Sequence, residues 1–116
     1  IGLDIQGSCQ IEADEALIYQ AVMNMMDNAV KYVTKAGKIT VQMSNESLSI
    51  QNTSEPIPED VLKNIWNPFV KGDNSRHGHK GTGLGLSIVK TIMDRHGFTY
   101  EMKNVDDGVK VKVDFR

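Results

Sequence analysis

The sequence predicts an α/β domain of two layers, with a mixed, mainly antiparallel sheet of about five strands and helices packed on one face. Segments in which apolar residues alternate occur in adjacent pairs, which is typical of antiparallel hairpins. Two long segments with helical spacing separate them and must bury their apolar faces against the sheet. With 116 residues and ordinary apolar and charged fractions, the chain is expected to form one globular domain over residues 1–116.

Charge and cysteine content limit the kinds of binding partner and the redox compartment to be expected. The net charge of −2 gives no electrostatic reason to expect nucleic acid or an anionic membrane. No apolar run approaches the ~18 residues of a membrane span, so no direct membrane contact is expected. The single cysteine, Cys9, excludes an internal disulfide, fits a reducing compartment and is expected to pack in the core.

The first two elements are a strand and a long helix. Apolar residues at odd positions from Leu3 to Ile11 predict a strand with one buried face. Asp14 is a suitable N-cap for a helix running to about Thr34, with Gly37 as a stop signal. Its buried face is predicted to consist of Ile18, Val22, Met25, Ala29 and Val33.

A polar stripe borders that apolar face. Asn24, Asn28 and Lys31 follow at i, i+4 and i+7, and asparagine is a mediocre helix former. One interpretation is a solvated face or local hydrogen bonding to a loop. The other is a pair of amide oxygens for a hard cation, with a lysine for phosphate.

The middle of the chain predicts a hairpin and a short helix. Residues 39–50 alternate around a turn at Asn45, and residues 51–58 are too polar and proline-rich for regular structure. A short helix should start at Pro58 and continue to about Ile65. Trp66 and Phe69 then form a small aromatic cluster that pins a loop.

Residues 70–80 contain almost no apolar side chains and predict a mobile surface loop. Lys71, Arg76 and Lys80 favour a lid over a phosphate, although a merely solvated loop has the same composition. His77 and His79 supply only two metal ligands, so a structural metal site is not expected.

A glycine-rich run, residues 81–85, opens the second long helix. Glycines at alternate positions let the backbone approach a ligand, and a helix N-terminus favours phosphate. An ordinary loop-to-helix entry is the alternative. Gly97 should cap this helix, and residues 98–115 predict a final hairpin turning at Asp107 and Gly108.

Three of these segments resemble motifs of one family. Residues 24–32 resemble the N box, residues 66–72 the F box, and residues 81–89 the second glycine box of the catalytic, ATP-binding domain of sensor histidine kinases. That domain belongs to the superfamily of gyrase, MutL and the ninety-kilodalton heat-shock chaperone. The resemblance covers nearly the whole chain, in the family's order and spacing.

The resemblance implies a role for each matching residue. Asn28 would ligate Mg²⁺, with Asn24 in or near the metal and phosphate shell, while Lys31 would reach a phosphate and Tyr32 would lie against the nucleotide. Lys71 and Arg76 would flank the lid. Backbone N–H groups would bind the phosphates at Gly81, Thr82, Gly83, Leu84 and Gly85, and further cofactor contacts are implied at Ile57, Phe69 and Leu86.

One motif departs from the family pattern. The family usually has Asp-x-Gly-x-Gly before the position of Ile57, and that aspartate accepts a hydrogen bond from the adenine amine. Here Asn52 replaces the aspartate, and Ser54 and Pro56 replace both glycines. We interpret Asn52 as a variant adenine contact.

The implied function is an enzyme domain that uses ATP and Mg²⁺ to phosphorylate a histidine on a separate dimerisation helix, with a response regulator further along the pathway. The chain would be the cytoplasmic fragment of a membrane-anchored sensor. Its three histidines lack the acidic residue that usually follows the phosphorylated histidine, so it should not phosphorylate itself alone. The alternatives are a nucleotide-binding regulatory module without transfer activity and an anti-sigma-factor serine kinase.

Overall fold

The computed structural model describes residues 2–7, 13–68 and 85–115. The strands within these ranges are β1 (Gly2–Gly7), β2 (Lys38–Met43), β3 (Ser47–Thr53), β4 (Thr99–Val105) and β5 (Gly108–Asp114). The helices within them are α1 (Glu15–Tyr32), α2 (Glu59–Leu62) and α3 (Gly85–His96). None of these helices is long and apolar enough to cross a bilayer.

The strands form one mixed sheet in the order β1-β2-β3-β5-β4. β1 pairs with β2 in parallel, and every other pair is antiparallel. α1 and α3 pack against each other and against the same face of the sheet, which confirms the predicted two-layer α/β class. The largest fully buried side chains of the core between the layers are Met25, Ile39, Ile50, Val89, Met93 and Val113.

The start of α1 is set by a local hydrogen bond, and its end is set by pairing with a distant residue. Asp14 caps the first turn, since its carboxylate accepts a hydrogen bond from the N–H of Leu17 at 3.0 Å. The helix ends at Tyr32, before the predicted Thr34, because the Thr34 N–H donates to the carbonyl of Thr53 at 2.9 Å. The predicted apolar face is confirmed, with Ala21 as a further buried member.

The predicted buried face of the first strand is wrong for the residues described. Leu3 and Ile5 are 59% and 58% exposed. They lie in β1 at one edge of the sheet, opposite Ile39 and Val41, whereas α1 packs mainly on β3 and α3 on β4. The alternation therefore predicted the strand correctly and the burial of its apolar side chains wrongly. Residues 8–12, including Cys9, lie outside the described residues.

The prediction of irregular structure from residue 51 is also wrong for its first three residues. β3 continues to Thr53 because Gln51, Asn52 and Thr53 pair with β5, and the first two also pair with β2. Backbone pairing on both sides overrides the polar composition of this segment. The irregular segment begins at Ser54, and α2 starts at Glu59 behind Pro58.

The last hairpin turns one residue earlier than predicted. Val105 pairs with Gly108, so the turn consists of Asp106 and Asp107, and Asp107 takes the positive φ of 68°. Gly108 serves a different purpose, because a Cβ on it would clash with the backbone oxygen of Asn52. The close approach of β5 to β3 at this point therefore requires glycine.

α3 is joined to β4 by a polar and aromatic cluster. The Lys90 ammonium donates to a carboxylate oxygen of Asp94 at 2.7 Å, and the Tyr100 hydroxyl donates to the other oxygen at 2.9 Å. Trp66 meets the ring of Tyr100 edge-on, with centroids 4.7 Å apart. As predicted, Gly97 ends the helix, with a φ of 72°.

The hydrogen bonds of this cluster shift two pKa values in opposite directions. The hydrogen bond from Lys90, and then that from Tyr100, lowers the pKa of Asp94 below its ordinary 3.8. The bond to Asp94, and then the interaction with Tyr100, raises the pKa of Lys90 above its ordinary 10.5. The pair therefore stabilises the fold between these two pH values.

We expect Asp94→Asn to lower the free energy of unfolding at neutral pH by an amount that decreases at both acidic and alkaline pH. Stability from Asp94 is present above pH 3.8 and is lost as the pH falls through its lowered pKa. Stability from Lys90 is lost as the pH rises through its raised pKa. Urea unfolding at pH 3, 7 and 11 measures the difference. Asp106→Asn, in the β4–β5 turn, controls for the loss of one surface charge, and a difference independent of pH would contradict the assignment.

Candidate functional site

The polar stripe of α1 lies at the boundary between core and solvent. Asn24, Asn28 and Lys31 are each half-buried, beside the buried Met25 and Ala29. Side chains one turn apart on a helix lie about 5–6 Å apart at Cβ, so the two amides can act on one ligand. Tyr32, also half-buried, ends the helix next to Lys31.

The connection from α1 to β2 ties the end of this stripe to the end of β3. In addition to the Thr34–Thr53 backbone bond, the Lys38 N–H donates to the Thr53 hydroxyl oxygen at 3.1 Å, and that hydroxyl donates to the Lys38 carbonyl at 3.3 Å. Thr53 therefore holds the entrance to β2 and the exit from α1 together. The last turn of α1 and the last residues of β3 consequently meet at one end of the sheet.

Asn52 is the neighbour of Thr53 and faces the helix layer. It lies two residues beyond the core residue Ile50, and side chains two apart on a strand share a face. Asn52 is only 4% exposed, and its Nδ2 has no hydrogen-bond partner among the described residues. An unpaired buried amide nitrogen is costly, which indicates a place for an acceptor.

Ile57, in the irregular segment after β3, is held by a residue that the sequence analysis did not identify. The Ile57 N–H donates to Oδ1 of Asn104 at 2.8 Å, and Nδ2 of Asn104 donates to the Ile57 carbonyl at 2.9 Å. Asn104 lies on β4, where Tyr100 and Met102 hold the preceding positions of the same face. A polar residue continuing this apolar alternation was the available sequence signal.

The start of α3 contributes backbone groups. Gly85 begins the helix, and among the described residues no atom beyond its own neighbours and helix backbone lies within 4 Å of a Cβ built on it. Leu86 is 8% exposed and its side chain belongs to the core. Only the backbone N–H of Leu86 can therefore serve a ligand, and N–H groups of the first helical turn have no intrahelical acceptor.

Several predicted site residues lie outside the described residues. These are Phe69, the lid residues Lys71, Arg76 and Lys80, the pair His77 and His79, and the phosphate-binding residues Gly81, Thr82, Gly83 and Leu84. Their roles stay predictions.

The oxygen atoms that the polar stripe offers to a cation belong to amides. Within the described ranges, no three histidine, cysteine or acidic side chains group together as a metal site. The amide oxygens of Asn24 and Asn28 are of the hard type that Mg²⁺ accepts, and Mg²⁺ commonly completes its octahedron with water and substrate phosphates. The residues present therefore fit a metal that arrives with a polyphosphate.

Comparisons with known proteins agree with this arrangement. Residues 13–116 match the family described as histidine kinase-, DNA gyrase B-, and HSP90-like ATPase. The probable sensor kinase SilS of Salmonella typhimurium is 34% identical over 93 residues, which is 76% of this chain and 19% of SilS. The chain thus spans about a fifth of the length of the curated relatives it matches.

Solved structures give the same result. The catalytic domain of the histidine kinase ThkA superposes with a TM-score of 0.77 at 30% identity, covering 97% of this chain and 77% of that domain. ThkA in complex with the response regulator protein TrrA matches with a TM-score of 0.67 at 28% identity, covering 97% of this chain and 33% of that one. The chain belongs to the histidine kinase-, DNA gyrase B-, and HSP90-like ATPase family, as an ATP-binding domain of the sensor histidine kinase type.

Proposed function

We propose that this chain binds Mg-ATP and transfers the γ-phosphoryl group to a histidine on a separate dimerisation helix of the same sensor kinase. The observation that carries the proposal is the junction at Thr53, because it joins the end of α1, the helix that bears the polar stripe, to β3 beside Asn52, whose buried Nδ2 has no partner among the described residues. Phosphoryl transfer requires mainly positioning and charge neutralisation, for which a metal ligand, a cation and a base contact suffice.

In this proposal Asn28 supplies a Mg²⁺ ligand and Asn24 lies in the metal and phosphate shell. Lys31, one turn further along α1, neutralises a phosphate, and Tyr32 lies against the nucleotide. The half-burial of this stripe supports the assignment, since partial desolvation strengthens contacts to charge. The backbone of residues 81–85 holds the remaining phosphate oxygens.

We expect Asn28→Ala to remove most of the gain in ATP affinity that Mg²⁺ confers on the parent chain. Loss of one charge-assisted contact corresponds to at least about tenfold in the dissociation constant. Calorimetric titration of ATP with and without Mg²⁺ measures the effect. Asn64→Ala, which removes two exposed hydrogen bonds, one to the carbonyl of Asp60 and one from Nδ2 of Asn67, is the matched control. An equal gain from Mg²⁺ in parent and Asn28→Ala would refute the metal assignment.

The proposed partners are a histidine-bearing helical dimerisation domain and a response regulator. ThkA, which this chain resembles over 97% of its length, has been solved with the response regulator protein TrrA. Because the chain spans about a fifth of its curated relatives, we propose that it acts as the cytoplasmic part of a larger, membrane-anchored sensor.

His96 is poorly suited to accept a phosphoryl group. Its Nδ1 lies 2.8 Å from the Ile92 carbonyl oxygen, and its Nε2 accepts a hydrogen bond from the Asp14 N–H at 3.1 Å. An Nε2 that accepts requires the tautomer in which Nδ1 carries the proton and donates it to Ile92. Both ring nitrogens are therefore occupied: Nδ1 bonds within α3, and Nε2 joins the end of α3 to the start of α1.

We expect the isolated chain to acquire no label from γ-labelled ATP, and to label the dimerisation domain of its full-length kinase when that domain is added. The bond to histidine should be acid-labile. Gel autoradiography before and after acid treatment measures both results. Label on His77, His79 or His96 of the isolated chain would overturn the need for an external acceptor, and ATP binding without transfer to the added domain would favour a regulatory module.

Asn52 is proposed as the base contact. Its amide oxygen can accept from the adenine amine, but a neutral acceptor is weaker than a carboxylate. Its Nδ2, unpaired among the described residues, can also donate to the carbonyl that guanine presents at the same position. The amide therefore discriminates less between the two purines than a carboxylate does.

We expect Asn52→Asp to increase the preference for ATP over GTP by about tenfold, because a carboxylate repels the guanine carbonyl and binds the adenine amine more strongly. Displacement of a labelled ATP analogue by GTP, in parent and variant, measures the preference. The control is Asn64→Asp, which introduces the same charge outside the proposed site. Equal discrimination by parent and Asn52→Asp would exclude Asn52 from the base contact.

A further inference from the structure

One row of residues crosses the whole sheet at the end where the nucleotide is proposed to bind. The register of the strands aligns Leu3, Ile39, Asn52, Val109 and Asn104. Residues in one row point to the same face, and Val109 is buried under the helix layer. Asn52 and Asn104 therefore both face the helices, on strands about 9–10 Å apart with β5 between them.

Asn104 satisfies both backbone groups of one residue. Prolines at positions 56 and 58 have no N–H, so Ile57 carries the only backbone donor between them. Asn104 accepts from that donor and donates to the carbonyl of the same residue, across 47 positions of sequence. The paired bonds fix Ile57 in position and in orientation.

The segment around Ile57 shows what the two hydrogen bonds from Asn104 hold in place. The segment joining β3 to α2 carries Ser54 and Pro56, and the backbone of Ser54 is held by the Asp107 carbonyl at 3.0 Å. Ile57 itself is half-buried against the core. The segment is therefore attached to the sheet at both ends of a short span, first through the β4–β5 turn and then through β4.

We propose that Asn104 is a positioning residue for nucleotide binding, which holds Ile57 at a fixed place relative to Asn52 so that the base meets a preformed wall. This inference rests on the proposed function, since it takes Asn52 and Ile57 as the base side of the site. Asn104 touches the Ile57 backbone and not the nucleotide. It should therefore affect the part of the affinity that comes from the base and leave the phosphate part unchanged.

The test compares ATP with inorganic tripolyphosphate, which has no base, in the presence of Mg²⁺. Asn104→Ala should weaken ATP binding by about three- to tenfold, the range expected for one or two lost hydrogen bonds, and leave tripolyphosphate binding unchanged. Asn64→Ala is the matched control. Binding is measured at a temperature where circular dichroism finds each variant folded, and hydrogen exchange should quicken at the Ile57 amide.

Asn104→Asp gives a second, independent measurement if Asn104→Ala does not fold. The carboxylate keeps an acceptor for the Ile57 N–H but loses the donor to the Ile57 carbonyl, whereas a protonated carboxyl can do both. A carboxyl of ordinary pKa, about 3.9, is ionised at pH 7.5, where this variant should therefore bind ATP more weakly than the parent and tripolyphosphate equally well.

The possible outcomes distinguish a failure of this inference from a failure of the proposed function. A parent chain that binds no ATP would overturn the proposed function and this inference with it. A parent that binds ATP, with Asn104→Ala equal to the Asn64→Ala control, would overturn the inference alone. Equal weakening of ATP and tripolyphosphate would also overturn it, because that result indicates general loosening of the fold.

Discussion

The fold depends on the hydrogen bonds of Thr53, which join the end of α1, the start of β2 and the end of β3. Through one backbone carbonyl and one hydroxyl, this residue accepts from Thr34 and Lys38 and donates back to Lys38. These bonds tie the exit from α1 and the entrance to β2 to the end of β3. Because β2, β3 and β5 share one register, the position of Thr53 also fixes the row that contains Asn52 and Asn104.

Most elements follow from local patterns, and the errors arise where a distant partner decides. Asp14 capped α1 and Gly97 ended α3 as expected, since both act within one helical turn. Leu3 and Ile5 gave the correct strand and the wrong exposure, because alternation reports a face and not what covers it. Gly108 suggested a turn, although what it provides is room for the Asn52 carbonyl.

The sequence predicted the residue types of the candidate site better than it predicted which residues the fold brings together. The spacing of Asn24, Asn28 and Lys31 follows from helical periodicity, and the half-burial of this stripe agrees with its predicted place at the rim. The contribution of Asn104 depends on the pairing of β4 with β5 and on a loop 47 residues away. No local pattern encodes that contact, so the sequence offered only an interrupted alternation.

Trp66 is placed so that its fluorescence can report on the structure of the neighbouring loop. This is the only tryptophan of the sequence, it is half-buried, and it lies edge-on against Tyr100 at the end of the segment that begins with Ile57. A rearrangement between Ile57 and Trp66 would change the solvation of the indole and shift its emission wavelength. Changes in this loop can therefore be followed in the unlabelled protein, in real time and at low concentration.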